Sequence, residues 1–215
     1  MRIPGSVLLG LSVLSAACVS AADPAAAEYR FNVYLDGSRI GVHEFQIREP
    51  EPGTTLVRSE ADFDVNFLFF TAFEYDHENT ERWNNGCLAE ISAFTNSNGK
   101  RSRVEGQKTD SAFVVRRDDS TEELPQCVMT FAYWNPAFLQ QDKLLNPQTG
   151  QYLDVEVEPA GEQDLEVNGQ RVPATAYRVE APERTVTVWY AKDDRRWLAL
   201  EAPAKGGRTL RYELS

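Results

Sequence analysis

Residues 127–150 read Cys-Val-Met-Thr-Phe-Ala-Tyr-Trp-Asn-Pro-Ala-Phe-Leu-Gln-Gln-Asp-Lys-Leu-Leu-Asn-Pro-Gln-Thr-Gly, and they interrupt a chain that otherwise alternates apolar and polar residues. A connection longer than about a dozen residues inside a compact domain is usually a binding loop, a lid or a disordered segment. This stretch is too rich in apolar residues for disorder. We therefore predict that it packs across the domain, and we call it the crossing segment.

On both sides of the crossing segment the sequence has the period of two that is typical of half-buried β-strands. Within residues 28–35 one face of the predicted strand is apolar, and it consists of Tyr29, Phe31, Val33 and Leu35. Asp36-Gly37 then supplies a tight turn. The same turn chemistry recurs as Asn-Gly at residues 85–86, 98–99 and 168–169. About a dozen short strands without a parallel β-α-β pattern predict an all-β fold, an antiparallel sheet closed or nearly closed into a barrel-like shape. We expect the last strand to pair beside the first.

The first 22 residues have the features of a secretory signal peptide. Arg2 supplies a positive charge, an apolar run follows, and small residues end at Ala22. We expect cleavage there, which leaves residues 23–215 as a single β-barrel-like domain in the periplasm. The alternative is lipoprotein processing at Cys18, because the residues before it resemble a lipobox. No other apolar stretch approaches the roughly 20 residues of a membrane-spanning helix, so we expect no transmembrane segment.

The charge and the cysteines narrow the partners and the compartment. The formal net charge is −11, which argues against nucleic acid and anionic membrane surfaces as partners. Cys87 and Cys127 remain after signal cleavage, and an oxidising compartment predicts a disulfide between them. Such a bond would close a loop of about 40 residues and stabilise the fold by roughly 3–4 kcal/mol. The alternative is a pair of buried thiols.

Few residues suit the common kinds of catalysis. His43 and His77 are the only histidines and both lie in predicted strands, and the sequence has no Gly-x-Ser-x-Gly elbow. A nucleophilic hydrolase is therefore disfavoured, and we predict no catalytic residue. A hydrolase that acts on envelope glycan or lipid through acidic residues is one alternative function, since the chain has 33 carboxylates.

Metal ligands are equally sparse, and we predict no metal and no cofactor. No cysteine pair has the spacing of a zinc site. Two acidic strand faces could hold a hard cation such as Ca²⁺ through oxygen ligands, but carboxylates at a period of two also mark the solvated face of a sheet. These faces consist of Asp62, Asp64, Asn66, Glu74, Asp76 and Glu78.

Aromatic residues suggest a binding site for an apolar or amphipathic molecule. Phenylalanines cluster at a hairpin tip around residues 67–73, where polar turn residues would be expected. The crossing segment, a lipid-like ligand or a partner protein could cover this tip. A barrel with an apolar lining is a common container for such a ligand, although small barrels are often filled by their own side chains. The predicted ligand-binding residues are Phe67, Phe70, Phe73, Tyr133, Trp134, Phe138 and Leu145.

Four motifs of the chain also resemble a known family. They are Tyr133-Trp134-Asn135-Pro136, Leu144 to Gly150, Trp189-Tyr190 and Trp197 to Glu201. Over essentially the whole mature chain the sequence is similar to a family of uncharacterised exported bacterial proteins that share a domain of unknown function. The final hairpin also resembles a second unassigned family of periplasmic β-barrel-like proteins. These resemblances imply a compartment and a fold, and they bring no activity or catalytic residues.

The function that we expect is therefore binding without catalysis. The predicted protein is periplasmic and holds an apolar or amphipathic ligand, or an envelope partner, near residues 133–150. A structural or assembly role in the cell envelope is the other alternative, with the phenylalanine-rich tip as its interface. The sequence leaves the oligomeric state and the identity of the ligand open.

Overall fold

A computed structural model describes residues 25–67, 70–118, 120–182 and 184–215. The predicted signal peptide, its cleavage point and Cys18 lie outside these residues. The described chain contains fifteen strands and one short 3-10 helix, Pro136–Gln140. The strands are β1 Ala25–Leu35, β2 Ser38–Glu51, β3 Thr54–Phe67, β4 Phe70–Asn84, β5 Cys87–Ser97, β6 Lys100–Lys108, β7 Phe113–Arg117, β8 Ser120–Leu124, β9 Lys143–Leu145, β10 Tyr152–Asp154, β11 Glu156–Val167, β12 Gln170–Ala181, β13 Arg184–Ala191, β14 Trp197–Ala204 and β15 Arg208–Leu214.

Thirteen strands form one antiparallel sheet in the order β11-β12-β13-β14-β15-β1-β2-β3-β4-β5-β6-β7-β8. Strands β1 to β8 pair in sequence order, as do β11 to β15. Strand β1 also pairs with β15, for example Val33 with Tyr212. The first and last strands therefore meet in the middle of the sheet, as predicted. The edges are β8 and β11, and no described hydrogen-bond ladder joins them. The all-β, nearly closed barrel-like fold is confirmed.

The two sheet edges are connected by residues 125–155, which contain the crossing segment. Strands β9 and β10 of this connection form a separate two-stranded sheet. The segment is tied to the barrel where it begins, because Cys87 and Cys127 form the predicted disulfide and the Leu88 amide donates to the Val128 carbonyl at 3.0 Å. The connection therefore begins as a fixed part of the domain.

Strand polarity defines two ends of the barrel. Because neighbouring strands are antiparallel, the turns β1-β2, β3-β4, β5-β6, β12-β13 and β14-β15 lie at one end, and the turns β2-β3, β4-β5 and β13-β14 lie at the other. The disulfide joins the β4-β5 turn to the start of the crossing segment, so both belong to the second end. We call the second end the filled end and the first the cavity end.

The filled end is packed by the crossing segment. Phe138, Leu144 and Leu145 are all fully buried and belong to the main core cluster. They pack with inward-facing strand residues such as Trp83 and Leu88, which are equally buried. A connection of this length is stable inside a barrel because it supplies the apolar side chains that the narrow interior requires.

A smaller cluster lies on the other face of β12, β13 and β14. Along β13, Val188 and Tyr190 belong to the main core, whereas Trp189 and Ala191 pack with residues of the β11-β12 hairpin such as Leu165. This hairpin supplies Leu165, Val167 and Val172 to the outer cluster. The sheet is therefore buried on both faces at this point, which explains why β13 ends in the apolar run Val-Trp-Tyr-Ala at residues 188–191.

Candidate ligand-binding cavity

The interior of the cavity end contains a cavity of about 1140 Å³. Most of its wall is apolar. The aliphatic lining includes Leu35, Ile40, Val65, Val186, Leu200 and Leu210. The aromatic lining consists of Phe63, Phe73, Tyr75, Tyr133, Trp197 and Tyr212. Each comes from the inward face of a strand or from the crossing segment, so the period of two that builds the sheet also lines the cavity.

Tyr133 and Trp197 lie between the cavity and the filled end. The two rings contact each other with centroids 5.5 Å apart, and Phe138 packs edge-on against Tyr133 at 5.5 Å. The Tyr190 hydroxyl donates to the Tyr133 carbonyl at 2.6 Å, which ties the crossing segment to β13. The crossing segment therefore fills one end of the barrel, and its Tyr133 also forms part of the floor of the cavity.

Two Asn-Pro motifs shape the crossing segment. The Asn135 side chain accepts a hydrogen bond from the Ala137 amide at 3.1 Å and caps the 3-10 helix, with Pro136 at its first position. In the second motif the Asn146 side chain accepts from the Gln148 amide at 2.9 Å. Gly150 has φ +69, a conformation that glycine adopts at little cost, and its amide donates to the Asn146 carbonyl at 2.8 Å. Each asparagine therefore closes a turn through its own side chain.

The side wall of the cavity is a cluster of aromatic rings. Phe63 stacks on Tyr75 at 5.2 Å and meets Tyr212 edge-on at 5.9 Å. Burial raises the pKa of both tyrosine hydroxyls. They therefore stay protonated at neutral pH and can donate hydrogen bonds into an otherwise apolar space.

His43 stands in this wall without a hydrogen-bond partner. Its ring stacks on Phe45 at 4.2 Å, and both ring nitrogens are buried and unpaired. Burial, with a smaller contribution from His77, lowers the pKa of His43 to about 3, so the ring is neutral. His77 differs, because its Nδ1 lies 2.9 Å from the Thr95 hydroxyl. Burial also lowers the pKa of His77, to about 4.

Basic residues surround the mouth of the cavity. Lys100, Arg184, Lys205 and Arg208 line it, and no Asp or Glu does so among the described residues. Arg184 donates to the Gln148 side chain at 3.2 Å. Its guanidinium also opposes the rise that burial causes in the pKa of the Tyr133 hydroxyl. The mouth thus combines positive charge with hydrogen-bond donors in a protein whose formal net charge is −11.

Comparison with known proteins places this architecture in a family. A family model described as a domain of unknown function, DUF6134, matches residues 31–215. The chain belongs to this family. No curated protein matches it in sequence.

The barrel also has a counterpart among solved structures. It is similar to a structure described as the crystal structure of a β-barrel-like protein of domain of unknown function DUF1849 from Brucella abortus, with a TM-score of 0.62 and 10% sequence identity. The match covers 90% of this chain and 97% of that chain. The likeness is one of fold.

None of the helices in the part of the chain that the structure describes has the length and apolar character needed to cross a membrane.

The predicted ligand-binding residues fall into three groups in this DUF6134 domain. Tyr133 and Phe73 line the cavity. Trp134 instead packs edge-on against Trp83 at 5.7 Å, and Phe138 and Leu145 are fully buried core residues. The backbones of Phe67 and Phe70 pair in the β3-β4 hairpin, and their side chains lie outside what the structure describes.

The sequence reasoning missed the basic mouth and the two wall tyrosines. A signal was present, since Lys100, Arg184 and Arg208 all follow turns that strand counting places at the same end of the barrel. Tyr75 and Tyr212 line the cavity from β4 and β15, and the alternation along those strands was the signal that could have identified them.

Glu81 is the one buried acidic residue in the part of the chain that the structure describes. Glu81 is 5% exposed, and its carboxyl accepts from the Asn79 amide and the Trp83 indole, each at 3.0 Å. Burial raises the pKa of Glu81, whereas the hydrogen bonds from Asn79, Trp83 and Thr130 lower it. A raised carboxyl pKa would suit a hydrolase. However, Glu81 does not line the cavity, and its hydrogen bonds join it to Asn79 and Trp83 of the same strand.

The acidic strand faces considered for a cation point outward. Asp62 and Asp64 of β3 are exposed, as are Glu74 and Glu78 of β4. Among the described residues, no group of three or more histidine, cysteine or acidic side chains is arranged to hold a metal ion. These carboxylates form the solvated face of the sheet.

Proposed function

We propose that this protein is an exported, periplasmic binding protein that holds an apolar or amphipathic ligand in the cavity end of its barrel and catalyses no reaction. The observation that carries the proposal is the uneven filling of one barrel. The crossing segment packs one end with fully buried side chains, whereas the other end holds a cavity of about 1140 Å³.

The size and lining of the cavity support this proposal. Ligand pockets are typically about 300–1,000 Å³ and mostly apolar, with a few polar groups that orient the ligand. A void of this size inside a packed domain forfeits many contacts, which a bound apolar molecule restores. The wall supplies apolar surface, and the tyrosine hydroxyls, His43 and Gln148 supply a small number of polar groups.

Export is supported by the signal-like first 22 residues and by the disulfide, which persists in oxidising compartments. Fractionation of cells that produce the full chain, with determination of the first residue of the mature protein, tests this part. Recovery of the intact chain in the cytoplasm would contradict it.

Binding is tested with a neutral, apolar fluorescent probe such as N-phenyl-1-naphthylamine, followed by displacement with extracted envelope lipids. Ala202 is half-buried and lines the cavity, so Ala202→Trp fills the space and should weaken probe binding at least about tenfold. Ala160, an exposed residue of β11, provides the matched control Ala160→Trp, which should bind as the wild type does.

Thermal unfolding of both variants checks that each is folded. If the wild type binds no probe and releases no lipid in native mass spectrometry, the protein is not a carrier. Equal probe binding by the two variants would show that the ligand lies elsewhere.

A further inference from the structure

We propose that the ligand is an anionic amphiphile, whose acidic head lies at the mouth beside Arg184, Lys100, Lys205 and Arg208 and whose apolar body occupies the cavity. This inference rests on the proposed binding function and adds the chemical class of the ligand.

The charge of the mouth is opposite to that of the protein. The chain has 33 acidic and 22 basic residues, so a random selection of charged side chains would favour carboxylates. The described lining residues instead include four cations and no carboxylate. Because like charges repel, this concentration of cations around one opening raises the electrostatic energy of the empty protein, and an anion there lowers it.

These cations have no ionic partner among the described residues. The ion pairs of the described chain use other basic residues, such as Arg178 with Glu180 and Lys192 with Glu162. Arg184 bonds a neutral amide, the Gln148 side chain, and the Arg208 Nε donates to the Lys205 carbonyl at 3.1 Å. Several guanidinium and ammonium donors at the mouth therefore remain available to an anionic head group.

Arg184 is the cation best placed to orient the head. Gln148 bonds one side of its guanidinium, and the Ser102 hydroxyl in turn donates to the Gln148 carbonyl at 2.7 Å. The side chain is thereby held toward the crossing segment. A fixed guanidinium binds a carboxylate or phosphate with two parallel hydrogen bonds, which is stronger and more directional than an ammonium contact.

The remaining lining groups favour a ligand with an apolar body over a free inorganic anion. Below the basic mouth the wall is made of Phe63, Val65, Leu200 and Leu210 together with other apolar side chains. Water gains little from contact with such surface, and burial of a hydrocarbon body there is favourable in proportion to its area. The arrangement of cations above an apolar chamber matches a molecule with one acidic end and one apolar end.

The test compares ligands of equal chain length that differ in charge. Palmitate, lysophosphatidate with a palmitoyl chain, methyl palmitate and hexadecylamine, each below its micelle concentration, compete against the neutral probe bound to the wild-type protein. We expect at least one of the two anions to displace the probe at a concentration about tenfold lower than the neutral ester does. The cationic amine should be the weakest competitor.

Two variants locate the effect. Arg184→Gln should remove most of the advantage of the anion over the ester, with the displacement by each competitor expressed relative to that variant's own affinity for the probe. The matched control is Arg178→Gln, an exposed arginine that does not line the cavity, and it should keep the full advantage. The double variant Lys205→Gln/Arg208→Gln provides a second test at the mouth, should Arg184→Gln fail to fold.

Each outcome has a distinct meaning. A preference for lysophosphatidate over palmitate assigns a phosphate head, and the reverse assigns a carboxylate. Equal displacement by the anions and the ester overturns the anionic class and leaves the proposed binding function standing. Displacement by inorganic phosphate alone, as effective as that by lysophosphatidate, overturns the requirement for an apolar body. Absence of probe binding removes both proposals.

Discussion

The filled end and the cavity end are built from the same strands by the same alternation, yet one is solid and the other hollow. Phe31 and Val33 of β1 both face the interior. Phe31 belongs to the main core, where the centroid of its ring lies 4.1 Å from that of Trp197. Val33 belongs instead to the small cluster beside the cavity. The strands alone do not produce this difference. It follows from where the crossing segment places its apolar side chains.

Buried polar groups occur at both ends, and they differ in whether they reach the cavity. At the filled end the Glu81 carboxyl accepts hydrogen bonds from Asn79 and Trp83, while the Asn79 Oδ1 atom is buried without a partner. At the cavity end both nitrogens of His43 are buried without a partner, and His43 lines the cavity. Native interiors rarely leave such groups unpaired outside functional regions. His43 is therefore the unpaired group that a polar atom of a ligand in the cavity can satisfy, whereas Asn79 does not line the cavity.

The largest expected effect separates the ends by packing. Phe138→Ala removes a fully buried ring from the filled end and should lower the free energy of unfolding by about 3–5 kcal/mol. Phe73→Ala makes the same chemical change at the half-buried cavity wall and should lower it by less than half as much. Urea denaturation of both variants measures the difference. Equal losses would mean that the two ends are packed alike.

The second effect concerns the disulfide at the filled end. Cys87→Ser/Cys127→Ser opens a loop with a sequence separation of 40 residues and should cost roughly 3–4 kcal/mol in the chain-entropy model. The cavity lies at the other end, so probe affinity of the folded variant should stay near that of the wild type. Guanidinium denaturation and probe titration measure the two quantities. Loss of affinity without loss of stability would contradict the separation of the ends.

The smallest effect concerns pH and His43. The unfolded chain protonates this histidine below about pH 6.5, whereas burial lowers its folded pKa to about 3. Between these two pH values the unfolded state therefore binds more protons than the folded state does. Titration of His43 then lowers the free energy of unfolding as pH falls, by roughly 1.4 kcal/mol per pH unit at most.

His43→Phe keeps the ring stack on Phe45 and should raise the free energy of unfolding by about 1 kcal/mol at pH 7.5, because it removes two unpaired polar atoms. The gain should grow between pH 7.5 and 5.5, as measured by urea denaturation at both values. Glu81 acts in the opposite direction, since its raised pKa favours the folded state as pH falls toward 4.5. It is present in both proteins, so their difference isolates His43. An equal gain at both pH values would contradict the folded-state pKa.

Much of the fold could be predicted from local pattern. Phe31 and Val33 are buried as the period of two requires, and the cysteines form the expected bond. The positions of the Asn-Gly turns followed from residues such as Asn98 and Gly99, which have φ of 52 and 85. Turn chemistry and alternation act over a few residues, so a sequence displays them directly.

The site was less predictable, because a side chain that faces the interior of the barrel can lie either at the cavity or in the packed end. Tyr133 and Phe138 are five residues apart in the crossing segment, and only Tyr133 lines the cavity. Trp134 covers Trp83 rather than the cavity. The basic mouth joins residues from strands that are distant in the chain, such as Lys100 and Arg208. A residue pattern contains no measure of such distances.

The sequence by itself determined the strands, the turns, the disulfide partners and the existence of a packed segment between the two sheet edges, since each depends on local backbone preference or on the number of cysteines. Only the tertiary structure decided that this segment fills one end, with Tyr133 at the floor of the remaining chamber and Gln148 at its basic rim. The reason is physical: local pattern sets which face of a strand is buried, whereas the volume left inside a barrel depends on every side chain that reaches it.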